Sequence, residues 1–238
     1  MDSLVQLFKE RADLIGISLK DSEIEKFFLY KDILKEWNQK INLTAIEDDE
    51  GIILKHFVDS LTILPYLGKK ALKLIDVGTG AGFPGIPIKI VNESANITLL
   101  DSLDKRIKFL DNVNQSLGLT GINTVHGRAE DFGVKPEFRE SYDVAVARAV
   151  ASLPVLLEYC LPFVKVGGQF IAMKGSSGEE VAQSKKALDL LGGIIQDVKE
   201  FVIPGTDMNR SIIVVKKLRQ TSTKYPRKAG KPTKEPLI

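Results

Sequence analysis

Apolar residues recur first at helical and then at strand spacing along this chain. Residues 2–14 read as a short helix. A stronger helix follows, opened by Ser22 and Glu25 at capping-box spacing, with an apolar stripe at Ile24, Phe27, Tyr30, Leu34, Trp37 and Ile41. Steps of three and four predict a face packed on a neighbouring domain. Asn38, Asn42 and Thr44 end that helix, and a third over about Asp49 to Leu64 sets His56 and Asp59 three apart on one face. From residue 72 the pattern changes. Apolar runs at Leu72–Val77, Ile97–Asp101, Ile122–His126, Tyr142–Ala147 and Gly168–Lys174 read as strands. Between them, segments at Ile86–Val91, Asp104–Leu117 and Ser152–Phe163 read as helices. This alternation implies a parallel sheet with helices on both faces. A helix at Glu179–Leu191 is stopped by Gly192-Gly193. The last two β segments, Ile194–Ile203 and Ser211–Leu218, leave little room for a helix and predict an antiparallel hairpin at the sheet edge.

The expected fold is therefore α/β and Rossmann-like, with a mainly parallel seven-stranded sheet. Its expected divisions are a helical segment at 1–65, the sheet domain at 66–218 and a tail at 219–238. A length of 238 residues suits one such domain with an appendage. Hydrophobic content of 44% and charged content of 27% are ordinary for a soluble globular protein. No apolar run reaches membrane-span length, and residues 1–20 carry charges throughout, so no membrane association is expected. The single Cys160 has no disulfide partner within the chain, and two histidines provide no metal cluster, which favours a reducing cytoplasm. A monomer is expected.

The net charge of +2 hides an asymmetry. Residues 219–238 hold six basic side chains (Arg219, Lys224, Arg227, Lys228, Lys231, Lys234) and one acid, Glu235, leaving 27 basic and 30 acidic in residues 1–218. A basic excess confined to the tail points to a polyanion partner. It equally describes a solvated terminus.

The chain is organised around Leu72-Lys-Leu-Ile-Asp-Val-Gly-Thr-Gly-Ala-Gly-Phe-Pro-Gly85, a strand, a glycine turn and the start of a helix. Gly80-x-Gly82-x-x-Gly85 satisfies a dinucleotide fingerprint, but Pro84 stands where a phosphate-binding helix would offer an N–H. The better frame is Asp76-x-Gly78-x-Gly80-x-Gly82. It looks like the first motif of class I methyltransferases that use S-adenosylmethionine (SAM), whose ammonium and sulfonium give a carboxylate at the strand end a physical role.

Ligands of open α/β sheets lie over the carboxyl ends of the strands. That rule collects Asp76, Gly78, Gly80 and Phe83 from strand one, and Asp101 from strand two, whose oxygens suit paired ribose hydroxyls. Strand three adds Ala129 and Glu130, placed to border an adenine and its amine. Strand four adds Arg148 and strand five Lys174. Amine methylation has no support, because Ala147-Arg148-Ala149-Val150 stands where those enzymes resemble one another in an Asn/Asp-Pro-Pro-aromatic run. Pyrimidine C5 methylation needs a thiolate, and Cys160 sits in the apolar run Val155–Leu161. A guanine N7 acceptor needs no general base, only orientation.

Trp37-Asn-x-x-Ile-Asn-Leu-Thr44, Lys55-His-Phe-x-Asp-Ser60, Asp76-Val-Gly-x-Gly-Ala-Gly-Phe-Pro-Gly85, Arg128-Ala-Glu130, Ala147-Arg-Ala149 and Tyr225-Pro-Arg-Lys-x-Gly230 together resemble the GidB/RsmG family, nearly end to end. The resemblance implies a bacterial enzyme that uses SAM to methylate N7 of a guanine in 16S rRNA, position 527 in conventional rRNA numbering. It also implies cofactor contacts at Gly78, Phe83, Ala129, Glu130 and Arg148, with 16S rRNA or the small ribosomal subunit as partner. The acceptor-side residues are open, with Arg148, Lys174 and His56 as candidates. Tyr225 is a candidate for stacking on a base. His56, Asp59, Asn38 and Asn42 either line the acceptor side or tie the helical segment to the sheet. A nicotinamide-dependent oxidoreductase and a non-catalytic RNA-binding protein are the alternatives.

Overall fold

A computed structural model describes residues 2–68, 71–148, 151–175 and 177–238. Ala149 and Val150, which close the fourth-strand run, lie outside the described residues, as do Met1, Lys69, Lys70 and Ser176. The chain opens with α1 (Asp2–Leu14) and α2 (Asp21–Asn38). Then α3 (Asp49–Ile52) runs through a π-helical stretch, Ile53–Val58, into α4 (Asp59–Leu61), and α5 (Leu64–Leu67) follows. Next come β1 (Lys73–Val77), α6 (Gly85–Val91), β2 (Asn96–Asp101), α7 (Asp104–Ser116), β3 (Ile122–His126), α8 (Ala129–Phe132) and β4 (Tyr142–Arg148). The remainder is α9 (Leu153–Cys160), a 3-10 turn at Leu161–Phe163, β5 (Val164–Lys174), α10 (Gly178–Gln183), α11 (Lys185–Leu191), β6 (Gly193–Val202), β7 (Asn209–Lys217) and α12 (Lys231–Lys234).

The strands form one seven-stranded sheet in the order β3-β2-β1-β4-β5-β7-β6. The first five are parallel, and β7 runs antiparallel to both β5 and β6, so the expected edge hairpin is present. Alternation along the strands divides the core. Leu74, Val144, Val146, Ile171 and Val214 face one side and Ile75, Ala145, Phe170, Ala172 and Val215 the other. With both faces covered, a central strand has no solvent side, and β1 is buried from Leu74 to Val77.

One face is covered by α6 and α7 together with the helices before β1. Phe8, Phe27, Tyr30, Leu34 and Phe57 belong to the same buried cluster as Leu74 and Leu99. The other face is covered by α9 and α11, with Leu237 from the tail. The stripe expected on α2 is buried at Ile24, Phe27, Tyr30 and Leu34.

Several local expectations are corrected. The backbone of Lys20 is extended and its N–H donates to the Glu23 carboxylate at 2.8 Å, so α2 begins two residues before the predicted Ser22–Glu25 box. The third helix is interrupted by the π-helical stretch that carries His56. The helix expected over 179–191 breaks at Ser184, whose Oγ bonds back to the Glu180 carbonyl at 2.7 Å and competes with the helical pattern. The fifth strand starts at Val164, with a register shift against β4 between Tyr142 and Val144.

The tail is docked rather than solvated. Arg139 donates to the carbonyls of Tyr225 at 2.9 Å and Ser222 at 3.2 Å, and also to that of Thr221. Pro226, Pro232 and Leu237 are buried. The Tyr225 ring is half-buried against the core cluster.

Candidate functional site

A cavity of about 640 Å³ opens at the carboxyl ends of β1 to β4. Val77 lines it from the end of β1 and Gly78 from just beyond, Leu100 and Asp101 from β2, Ala129 and Glu130 from beyond β3, and Arg148 from β4. Its size is ordinary for a small-molecule site of roughly 300–1,000 Å³.

The four glycines of the turn do different work. Gly78, Gly80 and Gly82 have φ of 71°, 62° and 92°, a region that favours glycine. Gly78 and Gly80 line the cavity, and a Cβ on Gly80 would meet no atom closer than 4.0 Å. A Cβ on Gly82 would lie 2.5 Å from Ile86 Cδ1 and 2.8 Å from the Tyr30 hydroxyl. On Gly85 it would lie 2.4 Å from Leu99 Cδ2. The second pair therefore serves packing, and the first faces the ligand space.

This division disposes of the dinucleotide frame. The N–H of Gly85 goes to Asp76 Oδ2 at 2.9 Å, that of Ile86 to the Gly82 carbonyl at 2.8 Å, and residue 87 is proline. The first turn of α6 has no N–H left for a pyrophosphate.

Asp76 itself is not among the lining residues. It is buried beneath the turn, where Oδ2 also accepts from Thr79 Oγ1 at 2.7 Å. Burial raises its pKa to about 6, against the lowering effect of those two hydrogen bonds. Asp101 does line the cavity. It accepts from the N–H of Gly80 at 2.9 Å, from that of Leu103 at 3.0 Å and from Arg106 at 3.3 Å. A carboxylate offers about four acceptor positions, so capacity remains for a ligand hydroxyl. Glu130 accepts the N–H of Gly230 at 2.9 Å and is otherwise available. Glycine backbone, Asp101 and Glu130 fit a nucleoside carrying vicinal hydroxyls and an amine.

The opposite wall joins the helical segment to β4. Phe83 stacks on His56 with ring centroids 4.6 Å apart, and the Arg148 guanidinium lies 4.8 Å from the Phe83 centroid. Arg148 donates to Asp59 Oδ2 at 3.1 Å and to His56 Nδ1 at 3.3 Å. Arg210 of β7 donates to Asp59 from the other side at 3.2 Å. Since Arg148 can only donate, His56 Nδ1 is the acceptor, and Nε2 carries the proton that Thr44 Oγ1 receives at 2.7 Å. Burial and the adjacent Arg148 hold the His56 pKa down to about 3. His56 and Asp59 thus both line or border the site and tie the helices to the sheet.

That pKa has a consequence for stability. A histidine with a folded pKa of about 3 binds fewer protons in the native state than in the unfolded chain, where the value is about 6.5. Its contribution is complete above pH ~6.5 and is lost as pH falls towards 3, by up to about 1.4 kcal/mol per pH unit. The gap in unfolding free energy between wild type and His56→Asn should therefore widen from pH 4 to 6.5 and then level off in urea melts. Parallel curves over that range would contradict a neutral, half-buried His56.

Lys174 is not among the lining residues. Its ammonium donates to the Ala151 carbonyl at 2.7 Å and pairs with Glu180 at 3.0 Å, which makes it a structural link. Cys160 is fully buried, and burial pushes its thiol pKa up, so it behaves as a small hydrophobe. Among the described residues no group of acidic, histidine or cysteine side chains could hold a metal ion.

Leu43, Tyr159, Gly230 and Thr233 also line the cavity and were not singled out as site residues by sequence pattern. Leu43 and Thr44 are brought there by Asn38, whose Oδ1 accepts both their N–H groups at 2.8 and 2.9 Å. The Trp37–Thr44 and Tyr225–Gly230 motifs were the available clues to this wall and to the tail.

Residues 23–212 match the family model described as GidB, rRNA small subunit methyltransferase G. The chain is 65% identical over 234 residues to a ribosomal RNA small subunit methyltransferase G of Acetivibrio thermocellus, covering 98% of this chain and 97% of that one. It is 51% identical to the protein of the same name from Alkaliphilus metalliredigens, covering 97% and 98%. Among solved structures, a SAM-dependent methyltransferase from Aquifex aeolicus shares the fold with a TM-score of 0.53 at 18% identity, covering 76% of this chain and 97% of that one.

Proposed function

The chain belongs to the rRNA small subunit methyltransferase G (GidB) family, and from that premise we propose that it transfers a methyl group from SAM to N7 of one guanine in 16S ribosomal RNA, position 527 in conventional numbering. The observation that carries this reading is the cavity at the strand ends, lined by the carboxylates of Asp101 and Glu130 and by a His56 whose two ring nitrogens are both engaged. The donor supplies an electrophilic methyl group; the C–S bond breaks as N7 bonds the carbon, and the positive charge passes from sulfur to the purine with no proton lost.

This chain's residues bind and orient. Gly78 and Gly80 let the backbone approach the ligand, Asp101 accepts from the ribose, and Glu130 accepts from the adenine amine. Phe83, His56 and Arg148 form the wall between donor and acceptor. Both His56 nitrogens are engaged, and guanine N7 presents a lone pair with no proton to remove. Catalysis is then mostly alignment of N7 with the methyl–sulfur bond. In this reading the helices of 1–65 and the tail 219–238 flank a SAM-binding domain at 66–218, acting as a cytoplasmic monomer on 16S rRNA or the small subunit. No helix among the described residues is long and apolar enough to cross a membrane.

Small-subunit RNA from cells lacking this gene, incubated with the protein and labelled SAM, should gain label at one guanine. N7-methylguanine is then located by its susceptibility to chemical strand scission. Binding of SAM without transfer to any small-subunit RNA form would remove the rRNA half of the proposal and keep the donor half.

A further inference from the structure

We propose that the C-terminal tail is a wall of the methyl-donor site. In this proposal, which rests on the methyltransferase reading, Gly230 and Thr233 contact the adenosine end of the bound donor. The Glu158–Arg227 ion pair is the latch that holds them there.

Two residues of the cavity are joined directly to the tail. Glu130 receives the Gly230 N–H at 2.9 Å, and the Tyr159 hydroxyl meets Thr233 Oγ1 at 2.9 Å. Gly230 and Thr233 also line the cavity, on the side where β3 delivers Ala129 and Glu130. Gly230 has φ of 81°, and a Cβ there would have no neighbour within 4 Å. By occupying one Glu130 oxygen, the tail fixes the carboxylate and leaves the other oxygen to accept from an amine.

The latch is specific. Glu158 is fully buried in α9, and Arg227 bonds it from Nε at 2.8 Å and from Nη2 at 2.6 Å, while its backbone N–H adds a third contact at 2.8 Å. A forked guanidinium on a buried carboxylate fixes orientation as well as position. Arg227 also donates to the Glu235 carbonyl at 2.8 Å, which closes the tail into a loop around α12. If the tail only covered apolar surface, as Pro226 and Leu237 do, a ligand in the cavity would not alter its exposure.

Lys228 is exposed, so the Lys228–Ala229 bond reports on the tail in the native full-length protein. Lys165 is exposed at the amino end of β5, away from the cavity, and the Lys165–Val166 bond serves as the control. S-adenosylhomocysteine, the demethylated donor, should slow tryptic cleavage after Lys228 at least fivefold and change cleavage after Lys165 less than twofold. Equal slowing at both bonds, or none at either, would overturn the proposal. The double variant Glu158→Ala/Arg227→Ala removes both charges together, so no unpaired buried charge remains; the Arg227 backbone N–H and the Glu235 carbonyl lose their partners with the latch. Its dissociation constant for S-adenosylhomocysteine should rise at least tenfold by calorimetry, and a value within twofold of wild type would count against the latch. Failure of the wild-type protein to bind this ligand at all is a different result: it would remove the donor site and the tail's role with it.

Discussion

Asp59→Ala should cost the fold about 3–5 kcal/mol, because it leaves two guanidiniums facing each other without their shared counter-charge. Asp59 is 1% exposed and joins Arg148 at 3.1 Å to Arg210 at 3.2 Å. These three residues come from α4, β4 and β7, so the loss loosens the seam between the helical segment and the sheet. For a domain of this size the melting temperature should fall by roughly 6–20 °C. Thermal melts followed by circular dichroism measure it. The Arg148 side chain would also leave its place over Phe83, so methyl transfer should fall more than the folded fraction does. A variant melting within 2–3 °C of wild type would mean that the pair contributes little, roughly 1 kcal/mol or less.

The second large effect separates glycines that look alike in sequence. Gly82→Ala should cost about 2–5 kcal/mol. Forcing a Cβ into a positive-φ position costs roughly 1–2 kcal/mol, and overpacking adds about 1–3. The new Cβ would lie 2.5 Å from Ile86 Cδ1 and 2.8 Å from the Tyr30 hydroxyl, which is itself bonded to the Ala81 carbonyl. Gly80→Ala carries only the backbone cost, roughly 1–2 kcal/mol, since no atom lies closer than 4.0 Å to its Cβ. Its new methyl adjoins the cavity, so its main effect should be on ligand affinity. Urea melts and calorimetric titration of S-adenosylhomocysteine on both variants give the comparison. Equal stability losses would show that the two glycines do the same work.

Much of the fold was legible because its signals are local or periodic. Parallel strands covered on both faces must be continuously apolar, and β1, β2 and β4 are buried along almost their whole length. The α2 stripe followed the helical period because one side of that helix meets the core. Candidates at strand ends were legible by topology: Gly78, Gly80, Phe83, Asp101, Ala129, Glu130 and Arg148 all line one cavity.

Partner choice was not legible. Asp76 and Asp101 both end strands, but Asp76 bonds inward to Thr79 and Gly85 and Asp101 lines the cavity. Lys174 also ends a strand, and Glu180, six residues on, captures it. The tail's charge count suggested a free basic arm. Arg227 is instead bound to Glu158, 69 residues earlier in the chain, while Lys224, Lys228, Lys231 and Lys234 stay exposed.

By itself, then, the sequence determined the alternation of strands and crossover helices, the parallel sheet with its edge hairpin, most of the strand-end cavity residues and the family, because each depends on neighbours, period or motif. Only the tertiary structure decided which glycines face a ligand, which acid supports the turn, the neutral state of His56 and the docking of the tail. Those features depend on residues distant in the chain competing for the same hydrogen bonds and the same volume, and no local pattern records who wins.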